Sequence, residues 1–142
     1  MSNLIMTLPI RAMSYNNFMT STKSGRRFVT GRGKQYVEEL NFLLSKYKEQ
    51  LFYFGLNVEW PTMFRMEIRY YYLNYLTKKD VLSKTCNDVD NPNKIVIDKV
   101  FGFMGVDDYL LGELHCSKHK AINEDMIFIT LNKYTDTQLK IF

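Results

Sequence analysis

Five of the fifteen acidic residues, Asp88, Asp90, Asp98, Asp107 and Asp108, fall within the stretch DVDNPNKIVIDKVFGFMGVDD, which runs from Asp88 to Asp108. In a chain of net charge +4, acids gathered this closely suit a metal site that faces a polyanion. Mg2+ takes oxygen ligands and keeps several waters, so two or three convergent aspartates hold it without a histidine, and Mn2+ accepts the same donors. Lys94 lies four residues past Asp90. From the first turn of a helix, whose dipole favours anions, it can reach a phosphate oxygen. The same residues also have a plainer reading, in which the Asx residues cap a helix and Asp107-Asp108 make a solvated turn.

The elements that must position these side chains follow from the local pattern. Asp90 or Asn91 can cap a helix, Pro92 suits its first turn, and Ile95, Ile97, Val100 and Phe101 supply an apolar face. That helix should end near Gly102 or Gly105. Alternation places Asp88 and Asp90 on one side of an extended segment, and the chain returning after the helix brings Asp107 and Asp108 to the start of a strand. The expectation is a carboxylate cage closed across the helix.

The pattern D-x-D-N-x-x-K-x-x-x-D followed by D-D, here Asp88, Asp90, Asn91, Lys94, Asp98, Asp107 and Asp108, resembles the RusA family of Holliday-junction resolvases. Upstream, TLPIRAMSYNNF and GRRFVTGRGKQYVEEL are similar to that family's opening strand, asparagine-bearing loop and first helix, so the resemblance covers most of the chain in order. It implies a homodimeric, Mg2+-dependent endonuclease that places paired symmetric nicks in four-way DNA junctions during recombination and repair. It also implies that Asp88, Asp90 and Asp108 hold the metal and that Lys94 takes part in catalysis; Asn91, Asp98 and Asp107 are then candidates to orient those ligands or metal-bound water from outside. Two departures stand out: Pro92 and Asn93 lie between the asparagine and the lysine, and Lys84, Thr85, Cys86 and Asn87 replace an arginine run before D-x-D.

Composition bounds the alternatives. A chain of 142 residues with 46% hydrophobic content fits one domain with a core of its own. The basic balance predicts attraction to nucleic acid or another anionic surface. Two cysteines make no disulfide framework, Pro9 and Arg11 cut short any apolar leader, and no apolar run reaches membrane-span length. A cytoplasmic protein is therefore expected, with no membrane partner and no organic cofactor, and the RusA resemblance implies a bacterial or phage-infected cell. Cys86, His115, Cys116 and His119 are all the Cys and His residues of the chain, but they lack the paired close spacing of a zinc site.

In chain order, Asn3 to Leu8 reads as a strand and Ser14 to Lys23 as a loop, where Asn16 and Asn17 serve either turn chemistry or DNA contact. Lys23, Arg26, Arg27, Arg32 and Lys34 then place five cations in twelve residues without an acid. Such a loop suits phosphate contact, as does Lys84 beside the acids. Helical spacing predicts one helix over Gln35 to Leu51, and alternation predicts a half-buried strand over Met63 to Tyr72. Tyr109 to Cys116 and Met126 to Leu131 read as further strands, with Lys118 to Asp125 between them. The sum is an α+β domain with a mixed or antiparallel sheet of about four strands and two principal helices. Two other functions fit the same residues: a branched-DNA-binding module that does not cut, and a metal-dependent nuclease of flaps or single strands.

Overall fold

The computed structural model of the chain describes residues 3–86 and 88–136. Its central strand, β4 (Thr62–Tyr72), follows the alternation of the sequence. Phe64, Met66, Ile68, Tyr70 and Tyr72 are buried on one face, while Arg65, Glu67, Arg69 and Tyr71 point to the other. β1 (Leu4–Leu8) and β6 (Met126–Thr135) complete its antiparallel side, and β5 (Leu111–Lys120) runs parallel to it in the order β1-β6-β4-β5. The fold is thus α+β, with a four-stranded mixed sheet.

Three helices, α2 (Gly31–Ser45), α3 (Lys48–Gly55) and α4 (Asn93–Met104), supply the apolar residues of the core, including Leu40, Leu44, Leu51, Val96, Val100 and Phe101. The ring of Phe64 meets Phe101 of α4 edge-on at 5.5 Å and Phe54 of α3 at 6.0 Å. The opposite sheet face is polar and aromatic, with Arg65 paired to Glu113 and lying over Tyr134, and Arg69 beside Phe128 and Glu67.

Helix α4 is the crossover that two parallel strands require. At its start the Tyr70 hydroxyl donates to Asn93 Oδ1 at 2.6 Å, and near its end Phe101 packs on Phe64, so the helix runs back along β4. Gly105 closes it in the left-handed region at φ 70°, at the end foreseen from the sequence.

Two expectations change. The single helix over Gln35 to Leu51 is two helices: the first starts earlier, because Thr30 Oγ1 accepts the Gly33 N–H at 2.9 Å, and the chain breaks at Lys46–Tyr47. There the Tyr47 hydroxyl is bound to the backbone of Thr7 in β1, a tertiary anchor that helical periodicity does not reveal. The segment read as a loop and a flexible basic stretch contains a short helix, α1 (Tyr15–Phe18), and a hairpin of β2 (Met19–Ser21) and β3 (Arg27–Val29). Gly25, at φ 86°, supplies the turn.

Strand β5 also runs on to Lys120, taking in Lys118 and His119, which the sequence reading placed between strands. Residues 137–142 and Asn87 lie outside the described residues. Among the described residues no helix is long and apolar enough to cross a membrane.

Candidate active site

The end of α4 nearest Tyr70 gathers most of the motif. Asp88 and Asp90 are exposed in the turn before the helix, where Asp88 O accepts the Asn91 N–H and Asp90 O accepts the Asn93 N–H. Neither Asp90 nor Asn91 caps the helix, because the capping position is Pro92, without a side-chain bond. Asn91 instead accepts the Tyr15 N–H through Oδ1 at 3.1 Å, tying the acidic turn to α1. Pro92 and Asn93, the two departures from the RusA pattern, are both buried, and Asn93 holds the Tyr70 hydroxyl.

Cations from two elements converge beside these acids. Lys94, exposed in the first turn of α4, has Nζ 5.9 Å from the centre of the Tyr15 ring, and the Arg27 guanidinium of β3 lies 5.6 Å from it. The ring of Tyr15 attracts both charges. Tyr15 was legible in the sequence only as a neighbour of Asn16 and Asn17; its role as a platform needs the fold to bring Arg27 and Lys94 to it. Asp90 also lies close to β5: the Cys116 thiol is pushed up by burial, lowered by a hydrogen bond with Asn93, and raised by the charge of Asp90.

The remaining cations of the basic stretch are exposed around this end. Lys23 and Arg26 sit on the hairpin, Arg32 and Lys34 in the first turn of α2. Asn16 and Asn17 are exposed on α1, where the Asn17 N–H donates to Ser14 Oγ and its carbonyl accepts from the Thr30 hydroxyl. Asn17 borders a 460 Å³ cleft together with Arg11, Arg32, Tyr36 and Thr85. Lys84 is exposed next to Thr85, whose carbonyl accepts from Arg11 at 3.0 Å.

The structure does not bring Asp108 to this group. Asp107 Oδ1 accepts the Tyr109 N–H at 3.1 Å and caps a 3-10 turn over Asp108–Leu110, at the far end of α4. A helix of 12 residues is about 18 Å long, and it lies between Asp90 and Asp108. The expected cage closed across the helix is therefore not formed within one chain, because the crossover starts at one end of the sheet and returns to the other. Asp98 stands apart from both, exposed midway along α4 and bordering a groove with Glu38, Phe42 and Lys99.

Among the described residues no three His, Cys, Asp or Glu side chains converge as metal ligands. For Mg2+ this leaves a pair of carboxylates, Asp88 and Asp90, at one end of the helix, and three aspartates of one chain do not fit one ion. The Cys and His set does not converge either. Cys86 is buried, with its thiol toward Asn74 O, His119 stacks on Tyr71 and is bonded to Ser117, and His115 and Cys116 are successive residues on opposite faces of β5.

The search of protein-family models gives no match to this chain, and neither does the search of curated proteins.

Proposed function

We propose that this chain is a metal-dependent endonuclease acting on branched DNA, a Holliday-junction resolvase of the RusA kind. The observation that carries the reading is the grouping of Asp88, Asp90, Asn91 and Lys94 at one helix end, with Lys94 and Arg27 both directed to the Tyr15 ring. Carboxylates suited to a hard cation thus stand beside cations suited to a phosphate. Lys94 and Arg27 would bind non-bridging oxygens of the scissile phosphate, and the charge of Lys94 would oppose the negative charge that grows there during displacement. Lys23, Arg26, Arg32, Lys34 and Lys84 would follow the flanking backbone and supply affinity without reading sequence. The proposed cofactor is Mg2+, with Mn2+ as substitute.

The test is cleavage of a labelled four-way junction beside matched duplex, flap and single strand, with Mg2+ or a chelator, by the chain and its Asp90→Asn variant. Paired, metal-dependent nicks confined to the junction and lost in Asp90→Asn, with junction binding retained, are the expected result. The distance between Asp108 and the Asp88–Asp90 pair favours a second reading, a module that binds junctions and does not cut them. Junction binding without nicks under any divalent metal would establish that reading instead.

A further inference from the structure

A cleft of 460 Å³ separates α2 from the segment that joins β1 to α1. Arg32, Gln35, Tyr36 and Glu39 line it at spacings of three, four and seven residues, so one stripe of α2 forms a wall. Tyr36, Ile10 and Ala12 are buried and give the cleft an apolar floor. Around that floor Arg32, Gln35 and Glu39 are exposed, as is Asn17 of α1. Among the described residues none of these four side chains is engaged in a hydrogen bond or an ion pair. Arg11, which also lines the cleft, is by contrast fixed. Its Nη1 donates to Asn74 Oδ1 at 2.6 Å, its Nη2 donates to Thr85 O at 3.0 Å, and its guanidinium lies 5.0 Å from the centre of the Tyr72 ring. The cleft therefore combines a rigid cation with free amides, a free cation and a free carboxylate.

A lone phosphate is a poor occupant, because Glu39 sets a carboxylate among the cations. A flat ring with donors and acceptors on its edge suits the lining better: the apolar floor takes its face, amides meet its carbonyl and ring nitrogen atoms, and Glu39 accepts from an amino group. In a duplex that edge is taken by the partner base, so the ring must be unpaired. We propose that the cleft binds one unpaired nucleotide whose base carries an exocyclic amino group, with Glu39 accepting from that group, Gln35 and Asn17 bonding the rest of the pairing edge, and Arg32 on the phosphate. Arg32 and Glu39 stand about 10 Å apart along α2, a span that accommodates a base and its phosphate. Thr85 lines the cleft three residues before Asp88, so at most about 11 Å of chain separates them. Ser14, also in the lining, precedes Tyr15, whose N–H donates to Asn91 Oδ1 at 3.1 Å. A strand with a phosphate at the acidic turn can thus seat a nearby nucleotide here. That link to cleavage rests on the nuclease reading, whereas the subsite stands on the cleft itself.

The test is an amide NMR titration of the full chain with the deoxynucleoside monophosphates of adenine, cytosine, guanine and thymine, and with deoxyribose 5-phosphate, which has no base. The three nucleotides with an amino group should shift resonances of residues 10–17 and 32–39, and bind at least about fivefold more tightly than the thymine nucleotide. Deoxyribose 5-phosphate should leave those resonances nearly unmoved. Glu39→Ala, with an unchanged circular dichroism spectrum, should bring all four nucleotides to similar affinity, while Arg32→Ala should weaken all four alike. Equal shifts with deoxyribose 5-phosphate mean an anion site only and overturn the proposal, as does the absence of shifts in the cleft. A preference over thymine that persists in Glu39→Ala overturns the role given to that carboxylate. Junction cleavage by a parent chain whose cleft takes no nucleotide overturns the subsite and leaves the nuclease reading intact. Nucleotide binding by a chain that neither binds nor cuts junctions supports the subsite and overturns that reading.

Discussion

Lys94 of α4 and Tyr70 of β4 show how differently two side chains at the start of one helix are used. Lys94 is exposed and directed to the Tyr15 ring, so it contributes little to the fold and is free to serve a ligand. Lys94→Ala should slow single-turnover cleavage of a junction by about 10- to 100-fold while changing junction affinity far less, the pattern of an interaction strengthened in the transition state. Equal rates at saturating enzyme would remove Lys94 from the chemistry. Tyr70, by contrast, is wholly buried and bonded to Asn93. Tyr70→Phe leaves the Asn93 acceptor without its donor, and the loss should be about 1–3 kcal/mol in denaturant unfolding. Burial is the first cause that raises the Tyr70 and Tyr36 hydroxyls above the ordinary phenol value. Their contribution is therefore complete below the unfolded-state value, about pH 10, and is lost as pH rises beyond it. Stability should hold to about pH 10 and above it fall by about 1.4 kcal/mol per pH unit for each such phenol, with a shallower fall in Tyr70→Phe.

At the scale of elements, the far end of α4 is set by close approach to α3. A side chain on Gly55 would meet Met104 Cβ and Val106 Cγ2, both at 2.9 Å, and the Met104 carbonyl at 3.1 Å. Neither helix can yield readily, since Leu51 and Met104 are buried beside this contact. Gly55→Ala should therefore cost about 1–3 kcal/mol through overpacking, measured as a shift in the unfolding midpoint. An unshifted midpoint would mean that the α3–α4 contact gives way at no cost. At the near end the hairpin β2–β3 carries Arg27 toward Tyr15, and Gly33 lets α2 lie against Phe18. The basic stretch is thus a pair of short strands and a helix start, and of its cations Arg27 is tied through the Tyr15 ring to the acidic turn.

For the whole molecule, the proposed function makes charge the property that would decide how the surface meets DNA. Exposed cations on the hairpin, the start of α2, Lys84 and Lys94 lie around one end of the domain, while Asp107 and Asp108 occupy the other end of α4. Replacing Arg26 and Arg27 together by alanine should flatten the dependence of junction affinity on salt by about two ion equivalents, read from the slope of log affinity against log salt concentration. A slope equal to the parent's would exclude the hairpin from phosphate contact.

The sequence by itself determined the features that are written locally. Alternation in β4 marked its buried face, apolar spacing located α4 and left its end between Gly102 and Gly105, and Asp88, Asp90, Asn91 and Lys94 fall together at one helix end because they are near neighbours along the chain. Tertiary structure decided what depends on direction and distance. The break at Tyr47 follows from a hydroxyl bound to β1, and the Tyr15 platform from Arg27 and Lys94 arriving on separate elements. Residue count alone did not show whether α4 would bring Asp108 beside Asp90 or carry it away. That depended on β5 lying parallel to β4, since a parallel crossover must return to the opposite end of the sheet before the next strand begins.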